Sequence, residues 1–398
     1  MTVPPSTAAA AWAGLQRLPG HPAAYLGRGS VSRLGQALAG LGAERVLVVH
    51  GRVSYPGSRA HRVVTELAAR HTVEHFGGVR PNPDVQRIRV GVEAVRRFRP
   101  HAVVGIGGGS SLDVAKTISV MAAQPSDPAE CLRHPELVTE ARQCALILLP
   151  TTAGSGSEMT RFATVYDEGH KYSFDTDRAR ADLVIIDQDL TTTLPLRESV
   201  VSGLDALSQS IESYWAVAAT ARSRELARLA LEKLLPALAR AVGTGSFADP
   251  TIRADMAHGA SVAGSAIDIT RTTAAHALSY ALTAQLGLPH GTAVALHLPW
   301  LIERHAVLTE TDCRHPQGAA AVRRAVADVE DLARSATGGS VRNLVERLLL
   351  LGGQPTGIRE LALDAGQWRE PLTAALAGGR AWNNPCVLTA ADVSRLVV

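Results

Sequence analysis

Cysteine is scarce in this chain: Cys131, Cys144, Cys313 and Cys386 stand far apart, with no CxxC step among them. That scatter gives no sign of a disulfide framework and fits a reducing cytosol. A charge excess is missing as well. The formal net charge is only +3, and no basic run is interleaved with aromatics, so nucleic acid is not an expected partner. No apolar run reaches membrane-spanning length, and the opening MTVPPSTAAAAWAG lacks a basic n-region. Neither an anchor nor a signal peptide is therefore expected, and the expected location is cytoplasmic. There is no internal repeat, and the only biased stretch is residues 1–21, rich in Ala and Pro and expected to be a flexible tail.

What remains is a globular composition. Apolar residues make up 46% and charged residues 19% of 398, enough for a large core and, by length, for two domains. Short apolar runs at Val46–His50, Val73–Phe76, Ala102–Ile106, Ala145–Leu149 and Leu183–Ile186 read as buried strands. An amphipathic helix over Asp84–Phe98 and another to about Ala123 separate some of them. Strands alternating with helices predict a parallel sheet covered on both faces, an α/β domain over 22–190. Beyond Leu190 the pattern is Ala- and Leu-rich and helical, at 200–216, 219–242, 251–269, 272–286, 317–336, 340–350 and 390–397. Residues 191–398 are therefore expected to form an all-α domain.

Two loops follow strands in the first part. Gly107, Gly108, Gly109, Ser110 and Ser111 lead from a strand into a helix, with Asp113 inside its first turn. Glycines let backbone approach a phosphate, and helix N–H groups with the positive dipole end stabilise an anion; a plain tight turn has the same composition. The second loop, Thr151–Thr152–Ala153–Gly154–Ser155–Gly156–Ser157, is again small and hydroxyl-rich. Such loops at the carboxyl ends of neighbouring strands are where an open parallel sheet binds a nucleotide. Neither a GxGxxG fingerprint nor a GK[ST] P-loop is present.

In the helical part, Asp205 and Gln209 lie at i and i+4. His276 sits within an apolar helical run with Tyr280 one turn on, and His290 follows in a Pro289–His290–Gly291 step after Gly287 stops the helix. A carboxylate, an amide oxygen and two imidazoles form a possible donor set for a divalent metal. A histidine in an Ala/Leu-rich helix also serves as a hydrogen-bonded core residue, and an Asp/Gln pair as a cap or solvated face.

Taken together, GGGSSLDVAK (107–116), PTTAGSGSE (150–158), GLDALSQSIESYWA (203–216), the His276…His290 pair with PHG, and NNP (383–385) resemble the iron-containing (group III) alcohol dehydrogenase family. The resemblance implies a dinucleotide-binding domain, a helical domain, and Fe²⁺ or Zn²⁺ held by one Asp and three His. Asp205, His276 and His290 take those places, while Gln209 stands where the family has a second histidine. A neutral amide oxygen is a weaker, harder ligand than imidazole. Tyr280 stands where many members carry a proton-relaying His, and a phenol with a pKa of about 10 relays a proton less readily or simply packs. Within the family, FATVYDEGHKYSFDT (162–176), SIESYWA and TTAAHALSYALT resemble the phosphonoacetaldehyde reductases.

The resemblance therefore implies an oxidoreductase passing hydride between a nicotinamide cofactor and a small, anionic aldehyde, in a homodimer. Gly51, Arg52, Gly107–Ser111, Asp113, Thr151, Thr152, Ser155, Ser157 and Lys171 would hold the cofactor, with Lys171 or Arg271 on the substrate's phosphonate. His276 and Tyr280 would be catalytic. Because Gly51 replaces the acid that bonds the adenosine ribose in NAD-preferring members, NADP(H) is expected over NAD(H). Three rivals share the implied fold: a general short-chain alcohol dehydrogenase of the same family, a dehydroquinate-synthase-like lyase, and a metal-free maleylacetate-type reductase or binding protein favoured by Gln209.

Overall fold

The β-branched and leucine runs become a sheet because they are apolar on both faces and need covering on both. In the computed structural model, which describes residues 22–361 and 363–397, the expected tail lies outside the described residues. Residues up to Thr152, with Gly156–Leu194, make one compact unit; Ala153–Ser155 and the chain from Pro195 make the second. The short stretch Ala153–Ser155 thus belongs with the helices, which a single cut point in the sequence does not anticipate.

In the first unit the strands are β1 (Ala23–Leu26), β2 (Arg45–Gly51), β3 (Thr72–Val79), β4 (Ala102–Gly107), β5 (Ala145–Pro150), β6 (Phe162–Asp167), β7 (His170–Asp175) and β8 (Leu183–Ile186). Six of them form a parallel sheet in the order β1-β8-β5-β4-β2-β3. Val46, Val48, Val104, Ile106, Ile147 and Leu149 bury one face with side chains from α1 (Leu34–Gly40) and α2 (Arg59–Leu67). On the other face lie α3 (Val85–Phe98) and α4 (Gly109–Met121). A Cβ on Gly105 of β4 would stand 2.8 Å from both Ala115 Cβ and Leu148 Cδ2, so glycine sets how near α4 lies to the sheet. The strand order reverses between β2 and β4, whose carboxyl ends are Gly51 and Gly107, with His50 paired to Ile106. That is the switch point of a doubly wound sheet.

Two features escape the sequence reading. β1 is a short edge strand, AAYL, without β-branched residues. The antiparallel β6–β7 hairpin turns through Glu168 and Gly169, both at positive φ. A type I′ turn needs that, and Glu-Gly is a poor advertisement for it compared with Asn-Gly.

The second unit is helical among the described residues, apart from one isolated bridge between Cys313 and Cys386. Its helices run α5 (Leu196–Trp215), α6 (Ala221–Thr244), α7 (Pro250–Thr270), α8 (Ala274–Leu286), α9 (His290–Ala295), α10 (Leu298–Ala306), α11 (Gly318–Thr337), α12 (Val341–Leu351), α13 (Ala365–Ala375), α14 (Gly379–Trp382) and α15 (Ala390–Val397). α5 is buried nearly all round, against α6, α7 and α9. At Gly203 an added Cβ would come 2.8 Å from Leu238 and 3.2 Å from Met256. Glycine there lets α6 and α7 close on α5, the helix that presents Asp205.

Candidate metal centre and cofactor loops

Asp205, Gln209 and Glu212 stand at i, i+4 and i+7 on α5, hence on one face. All three are buried, Glu212 completely. Opposite them α8 offers His276, and Gly287 at φ 66° ends that helix so that Pro289 can start α9 with His290 at its first position. Glycine is required after that histidine. A Cβ on Gly291 would collide with the Val201 carbonyl oxygen and lie 3.2 Å from Asp205 Cβ, so α9 packs directly on the α5 backbone.

The side chains converge. One ligand atom each from Asp205, His276 and His290 all lie within 4.8 Å of one another. His276 Nε2 is 3.2 Å from Asp205 Oδ1, and the two histidine rings are 5.4 Å apart. Gln209 Nε2 donates to Asp205 Oδ1 at 3.1 Å and to the Ser155 carbonyl at 3.3 Å. Its Oε1 is buried without a hydrogen-bond partner. A buried amide oxygen left over beside a carboxylate and two imidazoles fits a divalent cation, which would take it as a fourth donor. Of the four residues expected from the sequence, Asp205, His276 and His290 converge, and Gln209 adjoins them through its bond to Asp205.

The sequence reading missed Glu212. Its Oε1 accepts from Thr273 N (3.1 Å), Thr273 Oγ1 (2.7 Å), Ala275 N (2.8 Å) and His276 N (3.3 Å). It therefore serves as the N-terminal cap of α8, which has no side-chain cap of its own. Its Oε2 holds His276 Nδ1 in a short hydrogen bond, leaving Nε2 to face Asp205. Carboxylate–imidazole pairs of this kind fix ring orientation and tautomer in metal sites. Burial opposes a charge on His276, but Glu212 and Asp205 outweigh it and raise its pKa to about 9. Burial also works against the Asp205 and Glu212 carboxylates, yet His276 and His290 hold Asp205, and His276 with the Thr273 hydroxyl holds Glu212, below their ordinary values.

Tyr280 is half-buried with its ring 6.3 Å from that of His290 and nearly parallel to it. Arg271 occupies the turn between α7 and α8 at φ 65°, ψ 178°, a region that side chains rarely adopt. Its Nη1 donates to the Asp268 carbonyl at 3.3 Å. Asn383, from the NNP segment, clamps the turn by donating to the carbonyls on both sides of Arg271, Thr270 (2.7 Å) and Thr272 (3.1 Å).

In the α/β unit the predicted loops sit at the carboxyl ends of β2, β4 and β5. Gly107, at φ 152°, could not carry a Cβ without meeting Ser111 Oγ at 2.6 Å, and Gly108 is closed in by Thr152 at 3.2 Å. No side chain caps α4, and Gly109, Ser110 and Ser111 form its first turn. Gly51 is different: a Cβ there makes only ordinary contacts, 3.6 Å to Ser54 and Ser111 Oγ. Arg52 is exposed, while Thr151 is buried and paired through its N–H to the Gly107 carbonyl.

Asp113 and Ser157 face inward to a second residue that sequence reading missed, the fully buried Lys116. Lys116 Nζ donates to Ser157 Oγ (2.9 Å), Thr160 Oγ1 (3.0 Å) and the Phe162 carbonyl (2.9 Å). Ser157 in turn donates to Asp113 Oδ1 at 2.6 Å, and Thr164 N to Oδ2 at 2.9 Å. This network shapes the loops from behind. Burial pushes the Asp113 carboxyl up, against the pull of Lys116 and, more weakly, of Lys171 on β7. Ser155 lies with the helical unit, its carbonyl holding Gln209.

Comparison with known proteins bears on the same residues. The family model for iron-containing alcohol dehydrogenase matches residues 22–188, and its C-terminal counterpart matches 199–397. Long-chain-alcohol dehydrogenase 1 of Geobacillus thermodenitrificans is 32% identical over 283 residues, 71% of each chain. A phosphonoacetaldehyde reductase of Streptomyces viridochromogenes is 31% identical over 237 residues, 58% of this chain and 60% of its own length. The crystal structure of a sulfoacetaldehyde reductase from Bifidobacterium kashiwanohense, in complex with NAD⁺, superposes with a TM-score of 0.80 at 25% identity, covering 94% of this chain and 95% of the other. With both halves matched, this chain belongs to the iron-containing alcohol dehydrogenase family, oxidoreductases of alcohols and aldehydes that bind NAD(P) and a divalent metal.

Proposed function

We propose that this protein reduces phosphonoacetaldehyde to 2-hydroxyethylphosphonate with NADPH, using a divalent metal held by Asp205, Gln209, His276 and His290. The observation that carries the chemistry is the convergence of Asp205, His276 and His290, with Gln209 bonded to Asp205 and its own buried Oε1 unpartnered. A divalent metal held by these residues, Fe²⁺ or Zn²⁺, would supply Lewis acidity towards the aldehyde carbonyl oxygen. The chain's own residues do the rest. Glu212 holds the Nδ1 proton of His276, so that Nε2 is the nitrogen that would release its proton and offer a lone pair to a metal. Gln209 orients Asp205 through its amide N–H. Tyr280, stacked beside His290, provides the hydroxyl from which the proton reaches the product oxygen. Gly107–Ser111 and the Thr151–Thr152 step hold the cofactor phosphates at the switch point of the sheet, and Lys171 adds positive charge beside Asp113.

The choice of an anionic substrate is supported by the two relatives named for two-carbon aldehydes that end in a tetrahedral anion, one a phosphonate and one a sulfonate. Arg271, five residues before His276 and held in a costly conformation, is the proposed partner of that anion. The test is a comparison of kcat/KM for phosphonoacetaldehyde and for acetaldehyde in the wild type and in Arg271→Ala. The wild type should favour the phosphonate by at least a hundredfold, and the variant should lose most of that preference while keeping its rate on acetaldehyde. Equal specificity constants in the wild type would refute the substrate assignment.

A further inference from the structure

Cys313 and Cys386 are remote in sequence, yet the fold sets them directly opposite each other in an antiparallel bridge. The hydrogen bonds on either side define the kind of pair. Arg314 N donates to the Pro385 carbonyl and Val387 N to the Asp312 carbonyl, both at 2.9 Å, so the two cysteines occupy a non-hydrogen-bonded position. At such positions the Cα atoms come within about 4.5 Å and both side chains project to one side. That separation lies inside the window of about 4.4–6.8 Å that a disulfide spans without moving the backbone. Both thiols do project to one side here: Cys386 is buried with Leu308, Ala319 and Val322, and the half-buried Cys313 packs against that cluster. Cys131 and Cys144 lie in the other unit.

We infer that Cys313 and Cys386 are a redox modification site, a thiol pair that closes into a cross-strand disulfide when it meets a low-molecular-weight disulfide. The accessible Cys313 thiolate attacks one sulfur of oxidised glutathione. An S–S bond forms to Cys313 while the glutathione S–S bond breaks, and one glutathione thiolate leaves and takes up a proton. Cys386, having lost its proton to solvent, then attacks the Cys313 sulfur and releases the second glutathione. Two protein thiols are oxidised by two electrons, and one glutathione disulfide is reduced to two thiols. The order follows from exposure: burial pushes the Cys386 thiol up to about 11, so it acts second, on a partner already delivered beside it.

The linkage has a structural consequence. The segment that carries Cys386 also carries Asn383, which clamps the carbonyls flanking Arg271 ahead of the metal-site helix. A disulfide would tie that segment to the Glu310–Asp312 turn without displacing it. The loop it closes is on the order of 70 residues, long enough to raise the melting midpoint by roughly 5 °C.

The experiment incubates the full-length protein as purified with oxidised glutathione, blocks remaining thiols under denaturing conditions, and maps peptides by mass. The expected result is one reducible cross-link joining the Cys313 and Cys386 peptides, a melting midpoint higher by several degrees, and unchanged turnover. In Cys386→Ala, and in Cys386→Ser should the alanine variant fold poorly, Cys313 should instead stop as the glutathione mixed disulfide. Recovery of both cysteines as blocked thiols from the wild type would overturn the inference. So would a cross-link through Cys131 or Cys144, or a stable mixed disulfide at Cys313 while Cys386 is still present.

Discussion

Replacing Glu212 by glutamine is the sharpest probe of the metal centre, because it changes one proton-accepting atom and almost no volume. Glu212 Oε1 takes four donors from the start of α8, so in Glu212→Gln the amide oxygen has to stay on that side. The amide NH₂ is then forced to face His276 Nδ1. Two donors cannot share that short contact, so Nδ1 gives up its proton and the one left on the ring sits on Nε2, the atom that faces Asp205. A protonated Nε2 has no lone pair to give, and metal binding must first reverse the tautomer against the amide. Loss of such an outer-shell carboxylate typically costs 10–100-fold in metal affinity, or about 1.4–2.7 kcal/mol. The assay is competition for Zn²⁺ or Fe²⁺ against a chromophoric chelator, with the melting of chelator-treated protein as the control for folding. Thr273→Val separates positioning from capping, since it deletes one cap bond and the bond that Thr273 Oγ1 accepts from Trp215 Nε1 (3.3 Å), together worth about 2 kcal/mol, and leaves His276 alone. It should lower the melting midpoint and leave metal affinity within about twofold. If Glu212→Gln binds metal as tightly as the wild type, or if Thr273→Val loses as much affinity, Glu212 is only a helix cap and the tautomer argument fails.

Gln209→His should tighten metal binding and Gln209→Ala should weaken metal binding and activity together; unchanged metal content in both variants would remove Gln209 from the ligand set. NADPH should be used with a higher kcat/KM than NADH, and Gly51→Asp, whose Cβ has room beside Ser54 and Ser111, should reverse that order. A wild-type preference for NADH would refute the role given to Gly51. Stability should fall on the acid side well before the carboxylates titrate. His297 and His305 are fully buried, and burial lowers their pKa values to about 4 and about 3. The unfolded chain takes up a proton at each below pH ~6.5 and the folded chain does not, so each loses about 1.4 kcal/mol per pH unit as pH falls towards its folded value. A chemical-denaturation midpoint that stays flat between pH 7 and pH 5 would contradict this.

What could be read in the sequence depended on whether the signal was local. The glycine loop after β4 was legible because strand, loop and helix are adjacent along the chain, and its glycines are enforced by contacts with Ser111 and Thr152 close by. Asp205, Gln209, His276 and His290 were picked out by a helical spacing and a Pro-His-Gly step, together with the likeness to a family. Glu212 carried the same signal, one turn beyond Gln209, but an acid near a helix end reads as a solvated side chain. Only the arrival of α8 and of Thr273 just before it turns it into a buried anion, with four donors on one oxygen and an imidazole on the other. Lys116 was hidden for the same reason: within GGGSSLDVAK it is one more helical residue, until Ser157 and Thr160 return from the second loop to receive its ammonium. The cysteine pair is the extreme case. Scatter along the chain argued against a disulfide framework, whereas the pairing of Cys313 with Cys386 is fixed by two backbone hydrogen bonds between segments that share no local pattern. Residues whose roles require a partner from a distant element are the ones a single sequence conceals, and at the proposed metal centre Glu212, which orients His276, is of that kind.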